Sequence, residues 1–218
     1  EEPPALPAAE FHPKPVRDEF DSDVHCVHFS TLRLPADPSC ANLKDRPGFL
    51  RLKGRESFAS THEQSMVARR ITSLKCRVTT CVEFEPENFQ QMVGLTIYYD
   101  NQNHFYLRIS SDEEIGKHLG ITTSDNGAYR ELRKHEVKLG NQSRCFLRAD
   151  YNNGSLQFSY SINGKKWKKI GPSLDATRLS DEYCKDGCFT GTFAGICCQD
   201  LCGLNKHADF DFFEYKEL

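Results

Sequence analysis

The sequence is short of several things. Among 218 residues there is one tryptophan and there are two methionines. No apolar run approaches the ~20 residues of a membrane-spanning helix, so no membrane partner is read from the chain. Charge of one sign is scarce: 28 Lys and Arg against 31 Asp and Glu leave a formal net charge of −3. That balance offers nucleic acid no long-range attraction. There is no G-x-S-x-G elbow, no cysteine in a helix-start context, and no Walker or dinucleotide fingerprint. No amphipathic helix and no fixed-period repeat emerge. The first twenty residues, EEPPALPAAEFHPKPVRDEF, lack the apolar core of a secretory signal and are not read as one.

Cysteine is the opposite case, with ten residues. In a small secreted domain they would be paired. A chain of this length can bury a core without such staples. Cys76, Cys81 and Cys145 fall in predicted strands, where a free thiol acts as a small hydrophobe. Cys197 and Cys198 are adjacent and would face opposite sides of a strand. Mostly reduced thiols are expected, in a reducing compartment such as a cytoplasm.

Half of the ten prolines lie in the first fifteen residues. Residues 1–15 are read as a stiff, extended linker that once followed another domain. From Val16 onward, period-two alternation and Asn-Gly-type turns predict about thirteen strands. Residues 92–99 and 104–109 form a hairpin around the turn 100–103. The segment 129–138 reads as one strand. Residues 16–218 are therefore expected to form an all-β, two-sheet antiparallel sandwich. The last 38 residues read as a turn, a strand thinned by small residues, a polar loop and a terminal strand. In the thinned strand, FTGTFAG (189–195), glycine signals close approach by a facing sheet, a ligand or another domain.

Chemistry-bearing residues are many and loosely arranged. Glu83 and Glu85, and the run Asp112, Glu113, Glu114, could supply a glycosidase carboxylate pair. No context buries one carboxyl to raise its pKa, so a solvated polar face is the plainer reading. Cys184, Cys188, Cys198, Cys202 and His207 suggest zinc, but their spacing is one residue off knuckle turns. Asp18, Glu19, Asp21 and Asp23 could join Asp209 and Asp211 around calcium if the first and last strands are neighbours. Tyr98, Tyr99, Phe105, Tyr106, Tyr129, Tyr160 and Trp167 could stack on sugar rings, although alternation puts about half of them in the core.

The order of several motifs carries a resemblance. RPGFLRL (46–52), PENFQQMVGLTIYYD (86–100), SDNG (124–127), YSINGKKW (160–167), LSDEY (179–183), FTGTFAG (189–195) and HADFDFFEY (207–215) succeed one another along the chain. Together they resemble the concanavalin A-like C-terminal β-sandwich of bacterial β-xylosidases of glycoside hydrolase family 43. The resemblance implies a jelly-roll sandwich whose parent enzyme carries its catalytic carboxylates in a preceding five-bladed propeller. The proline-rich stretch resembles the connector out of that propeller. It also implies that a sandwich loop brings an aromatic residue to the rim of the propeller's xylose pocket, which here would be Phe189. The plainer reading of Phe189 is a strand-core residue. The cysteines at 184, 188, 197, 198 and 202 stand where the family is expected to have glycine or small or polar residues, which favours incidental thiols.

Three functions follow as expectations. The first is a non-catalytic ancillary domain of a β-xylosidase or arabinofuranosidase. It would stabilise the propeller, complete its pocket for xylo-oligosaccharide and support homo-oligomers. The second is an autonomous, lectin-like carbohydrate-binding module for xylan or related glycans. The third, an independent glycosidase on the same fold, lacks a supporting carboxylate pair. No cofactor is required by any of them, apart from the calcium considered above.

Overall fold

A computed structural model describes residues 15–22, 27–186 and 189–218. The linker reading for residues 1–15 lies almost wholly outside these residues, as do Asp23, Cys26 and Cys188. In chain order the strands are β1 Arg17–Asp18, β2 Ser30–Thr31, β3 Ala41–Asn42, β4 Leu50–Lys53, β5 Ser65–Arg70, β6 Lys75–Glu83, β7 Gln91–Tyr98 and β8 His104–Asp112. They continue as β9 Gly116–Asp125, β10 Ala128–Glu131, β11 Val137–Lys138, β12 Arg144–Asn152, β13 Ser155–Ser161, β14 Lys168–Asp175, β15 Phe193–Asp200 and β16 His207–Glu217. Two single-turn 3-10 helices, Arg133–His135 and Ala176–Arg178, are the only helices among the described residues.

Two antiparallel sheets result. The first runs β14-β13-β12-β6-β16-β4-β3, with β1 added to β16; the second runs β10-β9-β8-β7-β15-β5-β2, with β11 added to β9. The cause is the alternation itself. In β12, Cys145, Leu147 and Ala149 turn inward and are buried, while Arg144, Phe146 and Arg148 turn outward. From the second sheet, Leu95, Ile97, Leu107, Ile109, Leu119 and Ile121 meet them in one continuous core. The expected two-sheet sandwich is the fold found, with sixteen strands among the described residues where about thirteen were predicted. The excess comes from two-residue strands.

Three local departures have physical reasons. The predicted strand 129–138 is split into β10 and β11 around a 3-10 turn, and both halves pair with β9. The interruption sits over Gly120, whose missing side chain leaves room for Glu136, 3.3 Å from where a Cβ would stand. In β16, partners shift by one residue between Phe210, opposite Val82, and Phe212, opposite Cys81. This bulge at Asp211 lets Phe210 and Phe213 both join the core despite their odd spacing.

The segment 189–195 is the third departure. It is not one strand. Phe189 and Gly191 have φ of 53° and 73°, in the left-handed region, so β15 begins only at Phe193. The close approach signalled by its glycines comes from the neighbouring strand. Gly195 lies opposite Ala68 of β5, and a Cβ there would stand 2.7 Å from the Ala68 Cβ.

Candidate functional site

Phe189 sits on the loop between the 3-10 turn Ala176–Arg178 and β15. Its side chain is 88 % exposed. The strand-core reading is therefore corrected: the backbone leaves the β region at this residue, and its ring reaches solvent. The root of the loop is fastened on three sides. Thr192 donates its hydroxyl to the Leu179 carbonyl at 2.5 Å, and its own carbonyl accepts from Ile71 N–H at 2.9 Å. The Tyr99 hydroxyl donates to Asp181, and the Gln102 amide donates to Asp186 at 2.8 Å. Arg178 and the Tyr183 hydroxyl both bond Asp125, at 2.5 and 2.8 Å. The turns β7–β8 and β9–β10 thus hold a platform from which one aromatic ring projects. Beside it lies a hollow of about 300 Å³, whose walls include Leu32, Met66, Tyr98, Thr190 and Phe193.

The residues singled out for calcium are not brought together. β1 and β16 are indeed neighbours, with Asp18 opposite Phe213. Asp18 spends one oxygen on its own turn, accepting from Phe20 N–H at 2.8 Å. Asp21 is exposed, with its Oδ1 3.6 Å from where a Cβ on Gly48 would stand. Asp209 is clamped by Arg51 at 2.7 and 2.9 Å and by Arg46 at 2.9 Å. Asp211 lies 3.6 Å from Arg144. Guanidinium groups therefore occupy the oxygens a cation would need. Glu83 belongs to the same network, bonded to Arg46 and Arg144 at 2.8 and 3.0 Å.

These ion pairs make a pH prediction. Burial alone would raise the Asp209 carboxyl, but the Arg51 and Arg46 hydrogen bonds outweigh it and hold the group below its usual value. Glu83 behaves likewise against Arg46 and Arg144. A depressed folded pKa contributes stability that is present above the unfolded value and lost as pH falls through the folded one. Asp209→Asn should therefore lower stability by about 2–3 kcal/mol at neutral pH. Its melting temperature should converge on the wild-type value below about pH 3, under the ordinary carboxylate range. A gap of equal size at both pH values in scanning calorimetry would refute this. Added calcium should leave both proteins' melting temperatures unchanged.

The remaining candidates are scattered. Cys198 lies in the main core and Cys184 beneath the 181–186 turn, while Cys202 is half-buried beside Asn88. Cys40, Cys76, Cys81, Cys145, Cys197, Cys198 and Cys202 are free thiols. Burial pushes the thiols of Cys76, Cys81 and Cys145 up to about 11, 12 and 12, which keeps them protonated and unreactive. Glu85 pairs with Lys117 at 2.8 Å. Of the seven aromatics considered for sugar stacking, Tyr98, Tyr99, Phe105, Tyr106 and Tyr160 are buried, and Trp167 is capped by Arg148 at 3.5 Å. Only Tyr129 among them presents an open ring, 54 % exposed.

One cluster was not anticipated. Asp112, His118 and Glu136 converge on the outer face of the second sheet. Arg108 stands among them, with its Nη1 3.2 Å from His118 Nε2 and its Nη2 3.5 Å from Glu131. His118 Nδ1 lies 2.8 Å from the Gly116 carbonyl, so both ring nitrogens have partners. The signal was present in the sequence as His104, Tyr106 and Arg108, polar at every second position of an otherwise apolar strand.

The family follows from comparison. The model of the β-xylosidase C-terminal concanavalin A-like domain matches residues 17–216. The chain belongs to this family. It is 38 % identical to a β-xylosidase of Bacillus subtilis over 98 % of this chain and 41 % of that protein. With a xylan 1,3-β-xylosidase of a Vibrio species it shares 40 % identity, over 99 % of this chain and 40 % of the relative. The crystal structure of a xylan β-1,4-xylosidase from Bacillus halodurans C-125 superposes with a TM-score of 0.95 at 43 % identity, covering 98 % of this chain and 41 % of that one. The chain thus spans about two fifths of the length of these glycoside hydrolases, as their C-terminal β-xylosidase domain.

Proposed function

We propose that this chain is the ancillary domain of a family 43 β-xylosidase or arabinofuranosidase, and that its role is to hold a catalytic propeller and complete the substrate pocket with Phe189. The observation that carries the reading is a single ring, 88 % exposed, on a loop whose root is pinned by hydrogen bonds to the β7–β8 turn, through Tyr99 and Gln102, and to the β9–β10 turn, through Asp125 and Asn126. A large exposed apolar side chain on a fastened loop is stable in water only at a cost, and contact with a partner removes it. Three of the carboxylates first considered for catalysis have other work: Glu83 is ion-paired to two arginines, Glu85 to Lys117, and Asp112 closes its own turn by accepting from Glu114 and Ile115 N–H. Catalysis is accordingly assigned to the propeller, with a xylo-oligosaccharide held at the joint surface. The protonated, buried thiols suit a reducing bacterial cytoplasm.

The test is reconstitution. A propeller produced without this domain should bind the 218-residue chain in size-exclusion chromatography and gain turnover of nitrophenyl xyloside when mixed with it. Separate elution and unchanged turnover would overturn the reading.

A further inference from the structure

The outer face of the second sheet holds a hollow of about 400 Å³ that the docking role does not use. Its floor is β8 and β9, through His104, Tyr106 and Ser124; Phe58 and Tyr129 stand on its walls. No residue lining it carries a formal charge, in a chain of which 27 % is charged. His104 conforms: burial drops its imidazole to about 4, so the ring is neutral. The hollow beside it, across Met92, is instead crowded with carboxylates, including Asp112, Glu131 and Glu136.

Two polar groups on this uncharged surface are left open, and a third lies sealed beneath them. His104 Nδ1 lies 3.3 Å from the Asp100 carbonyl, and Nε2 makes no hydrogen bond with the described residues. The Tyr106 hydroxyl is wholly buried, with no oxygen or nitrogen partner and only the Cys197 thiol beside it. Gln199 is 5 % exposed, and its amide makes no hydrogen bond with the described residues. A buried polar group without a partner costs about 1–3 kcal/mol. Here only Tyr106 Oη is buried without an oxygen or nitrogen partner; His104 and Gln199 line the hollow, where their open polar atoms can take hydrogen bonds from a ligand. The rings beneath are rigid: His104 packs 5.0 Å from Phe58 and 5.8 Å from Tyr98, and Tyr106 lies 5.1 Å from Phe58.

We propose that this hollow binds a neutral saccharide, with one pyranose ring stacked on Tyr129 and its hydroxyls bonded to His104 Nε2 and the Gln199 amide. The chemistry matches on each count. Absence of charge favours a neutral ligand, an amide and an imidazole nitrogen supply a donor and an acceptor for hydroxyls, and an open ring receives the apolar face of a sugar. The site is independent of Phe189, which does not line it.

Xylotriose, with cellotriose as a second neutral probe, should be titrated into the 218-residue chain and followed by NMR. The Gln199 side-chain amide and the His104 and Tyr129 ring signals should shift together, with a Kd of about 1 mM or tighter for at least one probe. Tyr129 is exposed, so Tyr129→Ala should keep the rest of the spectrum and weaken binding at least about tenfold. Phe189→Ala should leave the affinity unchanged, which separates this site from the docking role. No shifts up to about 20 mM sugar, or binding that survives Tyr129→Ala, would overturn the proposal and leave the hollow to ordered water.

Discussion

Gly94→Ala is expected to cost the sandwich about 4 kcal/mol or more, enough to lower its melting temperature by roughly 10 °C or prevent folding. Gly94 lies mid-strand in β7, between β15 and β8, opposite Cys197 and Arg108. A Cβ built there would stand 1.9 Å from the Leu107 carbonyl oxygen and 3.1 Å from the Arg108 Cα. Those atoms are backbone, so no side chain can swing aside. Relief requires β8 to separate from β7, which would break the ladder that carries Leu95, Ile97, Leu107 and Ile109 into the core. Gly140→Ala is the contrast on space alone, because nothing lies within 4 Å of its Cβ position; its φ of 58° leaves only a modest strain cost. Chemical denaturation of both variants decides the matter. A Gly94→Ala midpoint within error of wild type would show that the two central strands can part cheaply.

The same strands show what can be read from a linear chain. The β7–β8 hairpin is legible because its parts are local: alternating apolar residues flank Asp100, whose carboxylate accepts from Gln102 and Asn103 N–H to close the turn. The inward set of β12 is legible for the same reason. The bulge at Asp211 is not, because it depends on where β6 lies opposite β16. Nor is the break at Phe189, where FTGTFAG has strand composition and the turn is imposed by Thr192 reaching Leu179 and Ile71. The carboxylates considered for calcium are drawn into pairings of long range. Asp209 meets Arg51 across 158 residues of sequence and Arg46 across 163, and nothing in the acidic pattern announces those arginines. The uncharged hollow is hidden likewise, since Phe58, His104, Tyr129 and Gln199 come from four separate stretches. Phe189 entered through family resemblance, while periodicity alone would have buried it.

Phe189→Ala, made in the full-length enzyme, is expected to lower kcat/KM for xylo-oligosaccharides by about 10- to 100-fold with no loss of stability. The magnitude follows from area. A Phe side chain taken from water into a closed pocket contributes about 1.5–3 kcal/mol. Each 1.36 kcal/mol or so of lost transition-state stabilisation is tenfold in rate. The stability half follows from exposure, because a ring 88 % exposed in this chain holds up nothing within it. A KM increase with little change in kcat would mean that the ring binds substrate and transition state alike. A fall in kcat would mean that it orders the pocket for the reacting geometry. Phe189→Tyr and Phe189→Trp should recover most of the loss, since each restores an aromatic face, whereas Phe189→Leu should recover less. The left-handed backbone at this residue sharpens the comparison. Each of these variants has a Cβ and bears the same backbone strain, so their differences report the ring. Wild-type kinetics in Phe189→Ala would place the ring in solvent in the joined enzyme too, and the docking platform would then have to act through the hollow beside it at Met66, Tyr98 and Phe193.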